Sequence, residues 1–194
     1  MYSGICRSKA TAIGYDNQVL SYATIGLGTQ NYAGSSSTYS VLAGYKVVSY
    51  GNNTVSIGSR VGTYGNGSIA IGRNSVAYAN FATVAGYHCF AYNNYSSVVG
   101  SYSIVSYNCS AFGNRNTANE RYGTAIGEYN TASGRYCIAA GLGNTASGDY
   151  STACGYDNTA TAYGATAVGG NCQDRKSTRL NSSHIPLSRM PSSA

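Results

Sequence analysis

The amino-acid sequence predicts an all-β fold, a parallel solenoid of about twelve coils of 14 residues each. One observation behind this prediction is a series of glycines at almost constant spacing. Another is that the residues between these glycines recur at fixed positions. A third is the alternation of small and apolar side chains that short strands produce. A 14-residue unit cannot bury a face alone, so each unit is interpreted as one coil stacked on its neighbours.

Anchor glycines separate the coils, and each position in a coil is counted from its glycine as position 0. Nine of the eleven intervals between them contain 14 residues. The interval after Gly28 contains 16 residues, and its three consecutive serines at 35–37 predict a surface loop. The interval after Gly100 contains 13 residues, one fewer than a regular coil. The anchor glycines are Gly14, Gly28, Gly44, Gly58, Gly72, Gly86, Gly100, Gly113, Gly127, Gly141, Gly155 and Gly169.

The repeat is most regular between Gly113 and Gly169, where position +3 is always asparagine and positions +5 and +12 are always alanine up to the last glycine. Such a coil has room for two short strands and two turns. At ~3.3 Å per residue, we expect the strands around positions +2 to +6 and +9 to +13. Glycines at position 0 and often at +7, such as Gly65 and Gly134, are expected in tight turns that need a positive φ.

The second predicted strand has two different faces. Residues at +10 and +12 are small and can fill a narrow coil interior, whereas positions +11 and +13 carry valine or isoleucine in several coils. A strand of this kind is buried on both sides. One thin coil cannot cover the second side, so this pattern predicts an interface with other chains. Its residues are Val55, Ile57, Ile69, Ile71, Ile126, Ile138 and Val168.

The first predicted strand carries an exposed polar and aromatic face. Position +4 is threonine in four successive coils, and position +6 is tyrosine in four earlier ones. Identical positions place the tyrosine rings one above another at roughly 4.8 Å, which predicts a stabilising aromatic ladder. An alternative hypothesis is that the ladder also binds a glycan or a protein. This candidate binding surface consists of Tyr50, Tyr64, Tyr78 and Tyr92.

The chain divides into three predicted regions: a partial first coil at 1–13, a repeat body at 14–172 and a tail at 173–194. Because the repeat starts soon after Met1, we expect the true N-terminus to be missing. From Asp174 onward the composition changes, and the tail contains both prolines, Pro186 and Pro191. The tail resembles a translated sequencing adapter and is interpreted as a non-native, disordered segment. The alternative is a basic arm that binds nucleic acid.

Charge and hydropathy exclude several partners. The tail contributes four of the 12 basic and one of the six acidic residues, so the body has 8 basic and 5 acidic residues and a net charge of +3. This weak, scattered charge does not predict nucleic-acid binding. No stretch of 18 apolar residues predicts a transmembrane helix, so no direct membrane insertion is expected.

These motifs resemble the head repeats of YadA-type trimeric autotransporter adhesins. The resemblance covers residues 10–170 and rests on NTASG at 130–134 and 144–148, SIAIG at 68–72 and TAIG at 124–127. It implies a left-handed parallel β-roll, three chains around one axis, and display on the bacterial surface for adhesion to host cells, matrix or glycans. The seven apolar residues would then form the trimer interface. Similar repeats occur in virion tail fibres, which is the alternative function.

No residue pattern predicts an enzyme, a cofactor or a metal site. The cysteines lack a C-x-x-C pair and are interpreted as small buried thiols. Free thiols favour the tail-fibre alternative, since secreted proteins usually oxidise theirs. His88 has no serine or carboxylate partner at catalytic spacing and is predicted to be a surface histidine. The threonines at +4, Thr117, Thr131, Thr145 and Thr159, leave an ice-binding rod as a third hypothesis.

Overall fold

The computed structural model describes residues 4–5 and 9–174 of the chain, with side chains described from residue 9. The predicted non-native tail lies outside these residues, apart from Gln173 and Asp174. All regular structure in the described part is β-strand. In chain order the strands are β1 (Gly4–Ile5), β2 (Thr11–Tyr15), β3 (Gln18–Val19), β4 (Ile25–Thr29), β5 (Tyr32–Ala33), β6 (Val41–Tyr45), β7 (Val48–Ser49), β8 (Val55–Ser59), β9 (Gly62–Thr63), β10 (Ile69–Arg73), β11 (Val76–Ala77), β12 (Thr83–Tyr87), β13 (Phe90–Ala91), β14 (Ser97–Ser101), β15 (Ile104–Val105), β16 (Ser110–Asn114), β17 (Thr117–Ala118), β18 (Thr124–Glu128), β19 (Thr131–Ala132), β20 (Ile138–Leu142), β21 (Thr145–Ala146), β22 (Thr152–Tyr156), β23 (Thr159–Ala160), β24 (Thr166–Gly170) and β25 (Gln173–Asp174).

The strands form two parallel sheets. The even-numbered strands form a 12-stranded sheet, and the odd-numbered strands form a 13-stranded sheet, each in chain order. Every long strand pairs with the long strand one coil later, as Ile69 does with Thr83. The last short strand, β25, pairs with β23, so regular pairing extends through Asp174. This topology confirms the predicted all-β parallel solenoid of about twelve coils.

The strands lie at different positions from those expected. Each long strand begins at position +11 of one coil and ends at position +1 of the next coil. Each short strand covers only positions +4 and +5. The anchor glycine is therefore inside the long strand and not in a turn. Gly58, for example, has a φ of 132°. A Cβ at Gly58 would lie 1.8 Å from the carbonyl oxygen of Gly72, so close stacking of the coils requires glycine.

The turns are formed mostly by residues other than glycine. Positions +2 and +9 have a left-handed φ near 50–60°, as at Lys46 (53°) and Tyr95 (58°). The expectation that the +7 glycines need a positive φ was wrong, because Gly51 and Gly65 are not among the residues with positive φ. A Cβ on Gly51 would lie 2.1 Å from the carbonyl oxygen of Gly65, so these glycines also allow close packing of coils.

The interior of the solenoid is narrow and filled by small side chains. Alanines at +5 and +12, such as Ala132 and Ala139, are completely buried. Position +3 is also buried and carries asparagines whose amides bridge three successive coils. Asn130 Nδ2 donates to the carbonyl oxygens of Ile126, at 2.9 Å, and Gly141, at 2.8 Å. These bonds satisfy backbone groups that a purely apolar interior would leave unpaired.

Candidate interaction surfaces

The outer side of the 12-stranded sheet carries an apolar face, formed by position +13 and, in several coils, by position +11; in other coils +11 is polar, as at Thr83 and Thr152. Ile69 lies between Val55 and Thr83, and Ile71 lies between Ile57 and Ala85. The structure brings all seven predicted interface residues to this side, in β8, β10, β18, β20 and β24. In the single chain most are exposed, for example Ile71 at 41% and Ile126 at 44%. The apolar face is thus accessible along the length of the chain.

The apolar face is larger than the sequence reasoning proposed. Leu27 and Val99 at position +13 are exposed on the same face, and so is Phe112, which directly precedes its anchor glycine as they do but is at +12 in the shortened coil. Phe112 pairs with Val99 on one side and with Ile126 on the other, so the face continues through the 13-residue coil. Counting back from the following glycine would have found Phe112.

The tyrosine column, Tyr50, Tyr64, Tyr78 and Tyr92, lies beside the 13-stranded sheet. Successive ring centroids are 5.3, 5.5 and 5.1 Å apart, with interplanar angles of 22°, 16° and 4°. The predicted ladder is therefore present, and its rings are 43–46% exposed. Burial, followed by the charges of Tyr50 and Tyr78, raises the pKa of Tyr64. The column therefore exposes parts of its four rings beside the 13-stranded sheet, whereas the apolar face belongs to the 12-stranded sheet.

A second set of aromatic rings follows position +9. Phe81 stacks on Tyr95 at 5.2 Å. Farther along the chain, Tyr136 stacks between Tyr122, at 4.8 Å, and Tyr150, at 5.1 Å. The two groups of rings are interrupted at the 13-residue coil.

The coil has three corners, at positions +2, +6 and +9. The corner at +2 combines aromatic and basic groups. His88 is half-buried and stacks on Tyr102, with centroids 5.4 Å apart and planes at 4°. The Arg115 guanidinium lies 5.6 Å from the Tyr102 ring and 5.1 Å from the Tyr129 ring. His88 Nε2 is 3.3 Å from Asn74 Nδ2. The histidine is therefore part of a stacked series of side chains, which accounts for its partial burial.

The cysteines in the described residues are free thiols. Cys89, Cys109 and Cys137 are completely buried, as predicted, whereas Cys154 and Cys172, predicted to be buried as well, are only half-buried. Burial raises the pKa of all three thiols, that of Cys137 to about 11. Within the described part of the chain, no cluster of three metal-binding side chains occurs, and no helix is long and apolar enough to span a membrane.

Comparison with known families agrees with this geometry. The model of the YadA head domain repeat matches residues 64–88, 132–158 and 146–171. The first range contains β10 with its apolar face and two rings of the tyrosine column; the other ranges contain the asparagine ladder at Asn144 and Asn158. No curated protein matches the chain. Over residues 64–88 and 132–171, the chain is thus similar to YadA head domain repeats in sequence, and these residues lie in the regular coils described above.

Proposed function

We propose that this chain is the head segment of a homotrimeric adhesin on the bacterial surface, where it attaches the cell to host cells, matrix or glycans. YadA-type heads are trimeric adhesin modules, and this is the family background of the proposal. The observation that carries it is the apolar face, which one chain leaves exposed from coil to coil.

Covering the apolar face would strongly favour association. Burying an isoleucine or valine side chain fully contributes about 1.5–3 kcal/mol, and the residues of this face are already half-covered by their neighbours. The remaining gain is roughly 1 kcal/mol per residue, or about 7 kcal/mol per chain for the seven predicted positions. Closed cyclic symmetry allows three copies of the same face to bury one another without leaving a free edge.

The tyrosine column is the proposed binding surface of the trimer. It lies on the 13-stranded sheet, while the apolar face lies on the 12-stranded sheet. Association through the apolar face would therefore leave the column accessible. Tyrosine suits this role because its ring provides apolar contact area and its hydroxyl group provides a hydrogen bond.

A tail fibre of a virus is the second candidate function. The observation that favours it is the set of free, completely buried thiols, Cys89, Cys109 and Cys137. Chains assembled in a reducing cytoplasm keep such thiols, whereas exported proteins usually form disulfides. The two functions are distinguished by the genes beside this one: a membrane-anchoring domain indicates an adhesin, and tail or baseplate genes indicate a fibre.

Sedimentation equilibrium of the full chain tests the proposed assembly. We expect a trimer at micromolar concentration, together with attachment of trimer-coated beads to host cells. A well-folded monomer at this concentration would contradict the assembly. A trimer whose beads attach no better than beads coated with albumin would contradict the role in adhesion.

A further inference from the structure

The 13-residue coil creates a local defect in the regular solenoid. Strand pairing is unbroken on both sides of the defect, since Val105 pairs with Ala118 and Ser110 pairs with Ser97. The missing residue therefore falls in the turn between β15 and β16. This turn contains two consecutive left-handed residues, Tyr107 with a φ of 47° and Asn108 with a φ of 61°. A cleft of about 320 Å³ lies at this point.

A ladder of polar side chains at position +8 is interrupted at the cleft. In earlier coils the side-chain oxygen of each asparagine accepts a hydrogen bond from the backbone N–H of the asparagine one coil before it. The backbone N–H of Asn66 donates to Asn80 Oδ1 at 2.7 Å, and the backbone N–H of Asn80 donates to Asn94 Oδ1 at 3.0 Å. After the cleft the pattern returns, with the Arg135 backbone donating to Asp149 Oδ1 at 2.9 Å. Arg135 and Asp149 also form an ion pair.

Between these two stretches several polar groups form no hydrogen bond with the described part of the chain. Among the described residues, the backbone N–H groups of Asn94, Asn108 and Arg121 donate to no acceptor. The side chains of Asn93, Asn108 and Arg121 form no hydrogen bond or ion pair either. All four residues line the cleft. The residues around this one small space thus include an unpaired guanidinium, two unpaired amides and three unpaired backbone N–H groups.

The aromatic rings at position +9 end at the same cleft. Tyr122 lines it and is the first ring of the later stack, with Tyr136 covering one of its faces at 4.8 Å. Tyr107 also lines the cleft and stacks on no other ring in the described chain. Two tyrosine rings are therefore available to a ligand beside the unpaired polar groups.

We propose that the cleft binds a carboxylate-bearing sugar of a surface glycan. The Arg121 guanidinium matches a carboxylate with two parallel hydrogen bonds. The unpaired amides of Asn93 and Asn108 suit sugar hydroxyl groups, and a tyrosine ring packs against the apolar side of a sugar. The adjacent carboxylate, Glu120, does not line the cleft. This inference rests on the proposed role in attachment and adds a ligand class to it; a trimer would present three such clefts and gain avidity.

Binding of 3′-sialyllactose to the full-chain trimer, measured by calorimetry, tests the proposal. We expect saturable binding and at least tenfold weaker binding of lactose, which lacks the carboxylate. Arg121→Ala should weaken sialyllactose binding about tenfold, because a charged hydrogen-bonding group is lost. Arg60→Ala is the matched control: it removes an exposed arginine at another corner of the coil, and we expect less than a twofold change.

A second variant restores the regular coil without removing Arg121. Tyr107 and Asn108 are replaced by Asn-Asn-Tyr, which copies residues 93–95 of the preceding coil. This variant should close the cleft and abolish binding, with an unchanged or higher melting temperature. Full binding by this variant, equal binding of lactose, or preference for a sulfated disaccharide of heparin would overturn the proposal. Sedimentation and bead attachment on the same samples report separately on the trimer and its adhesive role.

Discussion

The side-chain oxygen of Asn130 accepts the backbone N–H of Asn144, one coil later, at 3.0 Å. Asn144 does the same for Asn158 at 3.1 Å. In earlier coils smaller polar groups continue the ladder, since Ser75 Oγ accepts the backbone N–H of Cys89 at 3.2 Å. The asparagine position is therefore a hydrogen-bonding column through the interior, and it is interrupted at the buried Val47 and Val61.

Asn144→Ala should lower the free energy of unfolding by about 2–4 kcal/mol, because buried backbone groups lose their partners. Asn144 Nδ2 donates to the carbonyl oxygens of Ala140 and Gly155, at 2.9 and 2.8 Å. Chemical denaturation measures the change. Asn119→Ala is the control, since Asn119 is exposed, and it should change stability by less than about 0.5 kcal/mol. Equal effects of the two substitutions would exclude a special role for the ladder.

Gly72→Ala should prevent correct stacking of the coils. The new Cβ would lie 1.9 Å from the carbonyl oxygen of Gly86, and the φ of 125° at Gly72 disfavours any L side chain. We expect loss of the native circular dichroism spectrum or insoluble protein. Gly164→Ala is the matched control: its φ is 66° and no atom lies within 4 Å of the added Cβ. It should cost only about 1 kcal/mol. A soluble, normally melting Gly72→Ala variant would refute this account of the anchor glycines.

The comparison of Gly72 with Lys46 shows what the sequence could and could not predict. A 14-residue period identifies which positions repeat and which face is apolar, but it does not locate the turns within a coil. Glycine suggested a turn at position 0, whereas Gly72 is needed for close contact between coils inside a strand. The actual turn lies at position +2, where Lys46 adopts a left-handed φ although lysine has no preference for it. In other coils the same position holds Asn74 and Asp157, residue types that do favour a left-handed φ, so the signal was present only in part of the repeats.

Sequence reasoning was likewise able to predict some of the candidate surfaces and not others. The tyrosine column and the apolar face depend only on identical positions in successive coils, so the sequence predicted both. The cleft depends on how the backbone closes the shortened turn at Tyr107 and on which neighbours, such as Arg121, then lack partners. Counting residues located the deletion but could not predict that geometry.

Ile71→Asp should dissociate the proposed trimer. Ile71 is 41% exposed in one chain and lies in the middle of the apolar face. In the trimer, each copy of this aspartate would be taken out of water without a partner, which is strongly unfavourable. Sedimentation should show monomer or unfolded chain. Asn119→Asp adds the same charge at an exposed turn position and should remain trimeric. A stable Ile71→Asp trimer would place the interface elsewhere.

Cys137 should resist alkylation in the folded protein. Burial raises the pKa of its thiol from the ordinary 9.0 to about 11. The thiolate fraction at pH 8 is then about 100-fold lower than in the unfolded chain. Mass spectrometry after iodoacetamide treatment should show slow labelling whose rate rises about tenfold per pH unit up to pH 11. In urea the rate should level off near pH 9.

The same shift has a consequence for stability. The folded state holds the Cys137 proton more tightly than the unfolded state, so this thiol contributes its full stabilisation below about pH 9. Its contribution should fall as the pH rises from about 9 to about 11. Cys137→Ala should make the unfolding free energy less dependent on pH in that window. An unchanged slope, or labelling of native Cys137 as fast as in urea, would disprove the predicted shift.

The double substitution Tyr64→Ser and Tyr78→Ser separates the two roles of the tyrosine column. It removes three stacked contacts, those at 5.3, 5.5 and 5.1 Å. At about 0.5–1.5 kcal/mol for each pair, the unfolding free energy should fall by about 1.5–4.5 kcal/mol. Thermal denaturation measures this change, and sedimentation shows whether the trimer persists.

Host-cell binding by the same variant decides whether the column is also a binding surface. Tyr150→Ser is the matched control, because it removes the stack with Tyr136 at 5.1 Å and the edge contact with Tyr163 at 5.4 Å from another corner of the coil. If the column binds a ligand, an intact double-variant trimer should lose attachment while the Tyr150→Ser trimer keeps it. If both trimers attach like the unsubstituted chain, the column stabilises the solenoid by stacking alone, because the exposed rings of Tyr64 and Tyr78 can then be removed without loss of binding.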